Sequence, residues 1–118
     1  MSIWKPLIFL IVVAGQSLAQ QVTVAPGAVL RALDRTSGQT TDLELQAGTM
    51  VEIDQLQIVL RECRYPEGNP SGNAYAALEI SERGHEGTLF SGWMIASAPA
   101  LSAMEHPRYD VWVIRCTT

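Results

Sequence analysis

His85 and His106 are the only imidazoles in this sequence of 118 residues. Acid–base chemistry near neutral pH falls first to such groups. His106 follows Glu105, precedes Pro107 and stands four residues before Asp110, with Ser97 and Ser102 close in sequence. A Ser/His/Asp hydrolase can be drawn from this set, with His106 and Asp110 as its polar candidates. A triad is recognised by geometry, however, and no Gly-x-Ser-x-Gly elbow accompanies it. The ordinary alternative is that both side chains satisfy backbone groups where a helical turn enters the last strand. His85 lies in Glu82-Arg83-Gly84-His85-Glu86-Gly87, a hairpin tip, where it could ligate a metal with Glu82 or Glu86. A zinc site wants three or four ligands at fixed spacing, and none is visible. No metal or other cofactor is expected.

Two further sets carry possible chemistry. Glu79 with Glu82, and Glu52 with Asp54, offer paired carboxylates. Glycosidase chemistry needs such a pair across a cleft, roughly 5–9.5 Å apart, and a small domain leaves little room for one. The aromatic set Tyr65, Tyr75, Trp93, Tyr109 and Trp112 could stack on sugar rings; the commoner role of Trp93 and Trp112 is to fill a core. Cys63 and Cys116 are the only cysteines, so one intramolecular pairing exists. There is no Cys-x-x-Cys spacing and no histidine near Cys63, which argues against redox or metal work.

These residues must be positioned by short strands. Val29 to Leu33 reads as a strand after Pro26-Gly27 opens the domain, and Asp34 to Asp42 reads as a polar turn. Leu43-Glu44-Leu45 and Val51-Glu52-Ile53 alternate on either side of an Ala47-Gly48 turn. Leu56 to Arg61 keeps the period of two, and Asp54-Gln55 marks a bulge or tight bend before it. Pro66 to Asn73 is a loop. Tyr75 to Glu82, Thr88 to Ala96 and Tyr109 to Cys116 are strands, with a turn over Arg83 to Gly87. Pro99 to Glu105 is a short helical turn that Pro107 stops. The pattern predicts an all-β domain, a small antiparallel sandwich or barrel with one helical turn near residues 99–105.

The strand at 89–96 is apolar on both faces, with Phe90, Met94 and Ala96 on one and Leu89, Trp93 and Ile95 on the other. Either it is central and covered on both sides, or it shows a patch to a partner. Leu89, Phe90, Trp93, Met94 and Ile95 form the candidate interaction patch. The cysteines pose a register problem. Along regular strands Cys116 shares a face with Trp112 and Ile114, and Cys63 lies opposite Leu56, Ile58 and Leu60. A bulge near Glu62, or a bridge at the sheet edge, would reconcile them.

Composition narrows the classes. Lys5 is the only lysine; without it seven arginines face 12 acids. There is no basic run, so nucleic acid is not an expected partner. No lysine is left for a Schiff base or a phosphate loop. Met1 to Ala19 reads as a secretory signal: Lys5, an apolar run from Leu7 to Ala14, and Ser17-Leu18-Ala19 as the cleavage site. That run is short of the roughly 20 residues a spanning helix needs. Residues 20–118 are then one exported β domain without a transmembrane span, and in an oxidising compartment the cysteines are expected to bond.

Several stretches are similar to a known family: Leu89-Phe90-Ser91-Gly92-Trp93-Met94-Ile95-Ala96-Ser97-Ala98-Pro99-Ala100-Leu101-Ser102-Ala103-Met104-Glu105-His106-Pro107, Tyr109-Asp110-Val111-Trp112 to Cys116, Leu30-Arg31-Ala32-Leu33-Asp34 with the following turn and Gly38, and Cys63-Arg64-Tyr65-Pro66. The chain resembles the small exported alphaproteobacterial proteins grouped as domain of unknown function 2155. The resemblance implies an envelope location, one domain, paired cysteines and a link to a respiratory membrane complex, with no assigned activity. The expectation is a non-enzymatic periplasmic protein whose partner is another envelope protein. The alternatives are a glycan or small-molecule binder, and a hydrolase using His106 and Asp110.

Overall fold

Alternating side chains along the chain sort into two antiparallel sheets that face each other across one apolar layer. A computed structural model describes residues 21–118, so the expected signal at 1–19 lies outside the described residues. The strands are β1 (Val22–Ala25), β2 (Gly27–Asp34), β3 (Gln39–Gln46), β4 (Thr49–Ile53), β5 (Leu56–Pro66), β6 (Tyr75–Glu82), β7 (Phe90–Ile95) and β8 (Tyr109–Cys116). The larger sheet runs β1-β5-β6-β7, with β4 pairing β5 beyond β1; the smaller runs β3-β2-β8. Inward residues of both sheets form the core, among them Leu30, Leu56, Ile58, Leu60, Leu78, Ile80, Met94, Val111 and Val113. This is the all-β architecture the pattern predicts, in its sandwich form. It is not a closed barrel, because β7 and β8 end their sheets without pairing each other.

The chain changes sheets at two neighbouring corners. β1 passes into β2 at Pro26, and β3 into β4 at Ala47-Gly48. The corners are tied by Ala47 N–H to Pro26 O at 2.9 Å and Gly48 N–H to Leu60 O at 2.7 Å. Gly27 is required here: a Cβ would stand 2.1 Å from the Leu45 carbonyl oxygen. The open side of the sandwich is crossed by residues 96–108, which carry the 3₁₀ turn Pro99–Ser102 and send Met104 into the core at 2% exposure. The helical turn is shorter than expected because Ala103 returns to an extended conformation.

Two bulges resolve the cysteine register. In β5 the pairing slips between Leu60 and Glu62, so Arg61 turns out and Cys63 turns in behind Leu56, Ile58 and Leu60. In β8 the pairing slips at Ile114, so Cys116 turns in although Trp112 points out. Each bulge shifts the two-residue period by one. Cys63 and Cys116 are bonded and join the two sheets. Their cross-strand neighbours are small, Ala25 and Ala76 beside Cys63 and Ala28 beside Cys116, which lets the sheets converge there.

Three assignments differ from the pattern. β1 forms ahead of Pro26, where no strand is expected. β3 begins at Gln39, so Gln39 to Asp42 is strand and not turn; its polar residues are exposed and carry no alternation to read. β5 runs on to Pro66, held by β1 beyond its bulge. Asp54-Gln55 is a two-residue hairpin turn between Ile53 and Leu56, with Asp54 at φ +50°.

Candidate functional site

The outer face of the larger sheet gathers residues that are far apart in sequence. Cross-strand register places Val24, Arg64, Tyr75 and Ile95 in one row. The next row holds Ala77 opposite Trp93. Inward positions on the same strands are small or slender, such as Ala76, Leu78 and Met94, so the indole has no room inside and points out. Trp93 is 41% exposed, Val24 61% and Val22 38%. Val22, Arg64, Tyr75, Trp93 and Ile95 line a shallow cavity of about 370 Å³.

One arginine organises this face. Arg64 Nε and Nη2 donate to the two Glu62 carboxylate oxygens at 2.8 and 3.0 Å, and the guanidinium carbon lies 5.0 Å from the Trp93 ring centroid. The fork to Glu62 holds the guanidinium charged, above its ordinary range. It also neutralises the one cation on the patch. Such planar stacking and forked pairing is what arginine supplies and lysine does not. Asn73 fixes the margin: its Nδ2 donates to Ser97 Oγ at 2.8 Å, and its Oδ1 accepts from the Ser97 and Ala74 amides at 3.0 and 2.9 Å.

The expected patch is therefore divided. Trp93 and Ile95 stand on it. Met94 does not: it is 2% exposed, opposite Ala76 in the core. Phe90, opposite Ile80, packs against the core as well. So does Leu89, which lies before β7 begins and escapes the strand's alternation. β7 is an edge strand and not a covered central one, and the 3₁₀ turn buries none of its own residues. Val22, Val24, Arg64 and Tyr75 complete the surface. The alternation Val22-Thr23-Val24 was the available signal for the first two.

Neither tryptophan fills the core. Trp112 is half-buried on the outer face of the smaller sheet, opposite Arg31. Tyr109 is core at 4% exposure, and Tyr65 packs against the core.

The histidine candidates separate. His106 Nδ1 accepts the amide hydrogens of Arg108 and Tyr109 at 3.0 and 3.1 Å. Its proton therefore sits on Nε2, which donates to Glu82 Oε2 at 3.1 Å. Asp110 faces Arg35 at 3.4 Å instead. The two do not form a catalytic pair, because both ring nitrogens are committed to structure. His106 does satisfy backbone groups at the entry to β8; Asp110 has a cationic partner. His85 Nδ1 lies 3.8 Å from Glu82 and is largely exposed. Among the described residues, no three or more His, Cys, Asp or Glu side chains are placed to hold a metal ion.

Three of the four paired carboxylates, Glu52, Glu79 and Glu82, are also spent elsewhere. Glu79 pairs Arg61 and Glu52 pairs Arg83. Arg31 holds Asp42, and Arg108 holds Asp34. Hydrogen bonds from Arg108 and Thr36 keep the Asp34 carboxyl well below the ordinary carboxylate range. Six of the seven arginines among the described residues thus carry a carboxylate partner. No described helix is long and apolar enough to cross a membrane.

Comparison with known proteins places the chain. A family described as "Uncharacterized protein conserved in bacteria (DUF2155)" matches residues 28–116. "Uncharacterized protein RP359" of Rickettsia prowazekii (strain Madrid E) is 27% identical over 88 residues, 72% of this chain and 57% of that protein. The chain thus spans little more than half of that relative's length. No solved structure matches it. The matched segment runs from β2 through the disulfide to the end of β8 and takes in Arg64, Tyr75, Trp93 and both cysteines, and the chain belongs to this DUF2155 family of bacterial proteins.

Proposed function

We propose that this protein is a non-enzymatic module of the cell envelope, exported to the periplasm by a cleaved signal at 1–19, that binds another envelope protein through the outer face of its larger sheet. The observation that carries this reading is Trp93, 41% exposed amid Val22, Val24, Tyr75 and Ile95. Tryptophan, tyrosine and arginine dominate the energetics of protein interfaces. The only charge in the row is already neutralised by Glu62. Burying the patch therefore desolvates apolar surface and no unpaired ion. A subunit of a respiratory membrane complex is the partner that the family resemblance suggests.

The test is crosslinking of the intact envelope with the tagged protein, followed by Trp93→Glu and Ile95→Glu. One discrete partner should be enriched and then lost in both variants, with circular dichroism unchanged. A partner retained by both folded variants refutes the assignment of this face. A second reading, glycan binding, has one specific observation in its favour: a flat indole beside an Arg64–Glu62 fork suits a sugar's apolar face and hydroxyl rim. Chitin oligosaccharides that shift Trp93 fluorescence in the wild type, and not in Trp93→Ala, would select it.

A further inference from the structure

We infer that the cavity between the β2–β3 and β4–β5 hairpins is an internal hydration site, in which water bridges the Tyr109 hydroxyl to the acidic mouth of the cavity. The cavity has a volume of about 40 Å³, and its lining includes Asp34, Thr41, Asp54, Leu56 and Tyr109. Tyr109 is 4% exposed, and its hydroxyl is the one buried side-chain polar atom among the described residues without a partner in the chain. A buried donor left unmatched is costly, and buried polar groups in folded proteins find a partner, protein or water. A water needs at least roughly 10–15 Å³ and two to four polar neighbours, and occupies about 30 Å³ in the liquid, so this space has room for at least one. Acceptors stand around it. Asp34 lies on β2, Thr41 on β3, and Asp54 on the β4–β5 turn, where its φ is +50°. Asp34 Oδ1 already accepts from the Thr36 amide, the Thr36 hydroxyl and Arg108 Nε, so the lone pair left for water is on Oδ2, which accepts only from Arg108 Nη2.

The position gives such water a structural task. Tyr109 belongs to the smaller sheet and Asp54 to a turn of the larger one. Cys63–Cys116 joins the sheets covalently beside the Ala47-Gly48 corner. At the far end of the sandwich, a hydrogen-bonded water would join them without a covalent bond.

Tyr109→Phe keeps the ring and removes only the hydroxyl, so the variant is expected to fold. Its melting temperature should fall by about 4–8 °C, the size expected for losing one net hydrogen bond in a domain of this length. A high-resolution crystal structure of the wild type should show a solvent oxygen about 2.6–3.2 Å from the hydroxyl. Unchanged or raised stability in Tyr109→Phe, or a dry cavity, overturns the inference. Density with the coordination of a metal ion would overturn it in favour of a cation.

Discussion

Removing the disulfide by Cys63→Ala with Cys116→Ala should cost about 4 kcal/mol. The bond joins residues 53 apart, and the chain-entropy relation for a closed loop of that length gives this value. Small domains have about 5–15 kcal/mol in all, so the loss is a large fraction of the total. Alanine is the right replacement, because both sulfurs sit in the core at 0% and 3% exposure and serine would leave unpaired hydroxyls. The assay is reversible urea unfolding of residues 21–118, followed by the fluorescence of Trp93 and Trp112. The melting temperature should fall by roughly 15–30 °C. Because the effect resides in the unfolded chain, the slope of stability against urea should rise as that chain expands. The single variant Cys63→Ala should lose nearly as much as the double, since either one opens the loop. A double variant that loses less than about 1 kcal/mol, at unchanged slope, would refute the loop-closure reasoning.

Other expectations follow from particular contacts. Gly27→Ala should destabilise by roughly 2–3 kcal/mol in thermal unfolding, because its Cβ meets a backbone carbonyl that cannot move aside, whereas Gly38→Ala, in open space at φ +75°, should cost only about 1 kcal/mol. His106→Ala should cost about 1–2 kcal/mol, chiefly by stranding the part-buried Tyr109 amide, and His106→Asn, whose oxygen can stand near Nδ1, should recover part of that in urea titration. The depressed Asp34 and Asp42 carboxyls stabilise the fold above their unfolded values; that stability should be lost as pH falls below about 4, with a shallower acid limb in Asp34→Asn by circular dichroism.

The fold was legible where one face is apolar and the other polar. β6 and β8 match their predicted bounds, and the Ala47-Gly48 turn and the 66–73 loop stand close to where turn residues put them. Polar or very short strands were not legible: β1 has four residues, and the start of β3 alternates nothing. The cysteine pairing could be read from its count, and its conflict with the period of two pointed to the bulge beside Glu62, whereas the bulge at Ile114 has no such signal. At the surface site, Trp93 and Ile95 were found because they are bulky and adjacent. Arg64 and Val24 were missed because only cross-strand register brings them there. Met94 was misplaced because a strand apolar on both faces does not say which face is inside.

The strand order sets a schedule for folding. β2 begins near the start of the described residues, yet one of its two hydrogen-bonded neighbours is β8, the last strand among them. A chain delivered N-terminus first, from a ribosome or through a membrane pore, can close the β2–β3, β4–β5 and β5–β6 hairpins as they emerge. It cannot complete the smaller sheet, or bring Cys116 to Cys63, until β8 is free. Until then one edge of β2 stays open to pairing with another chain. Export in an extended state and closure only on arrival would suit such a topology, with the disulfide formed as the final lock.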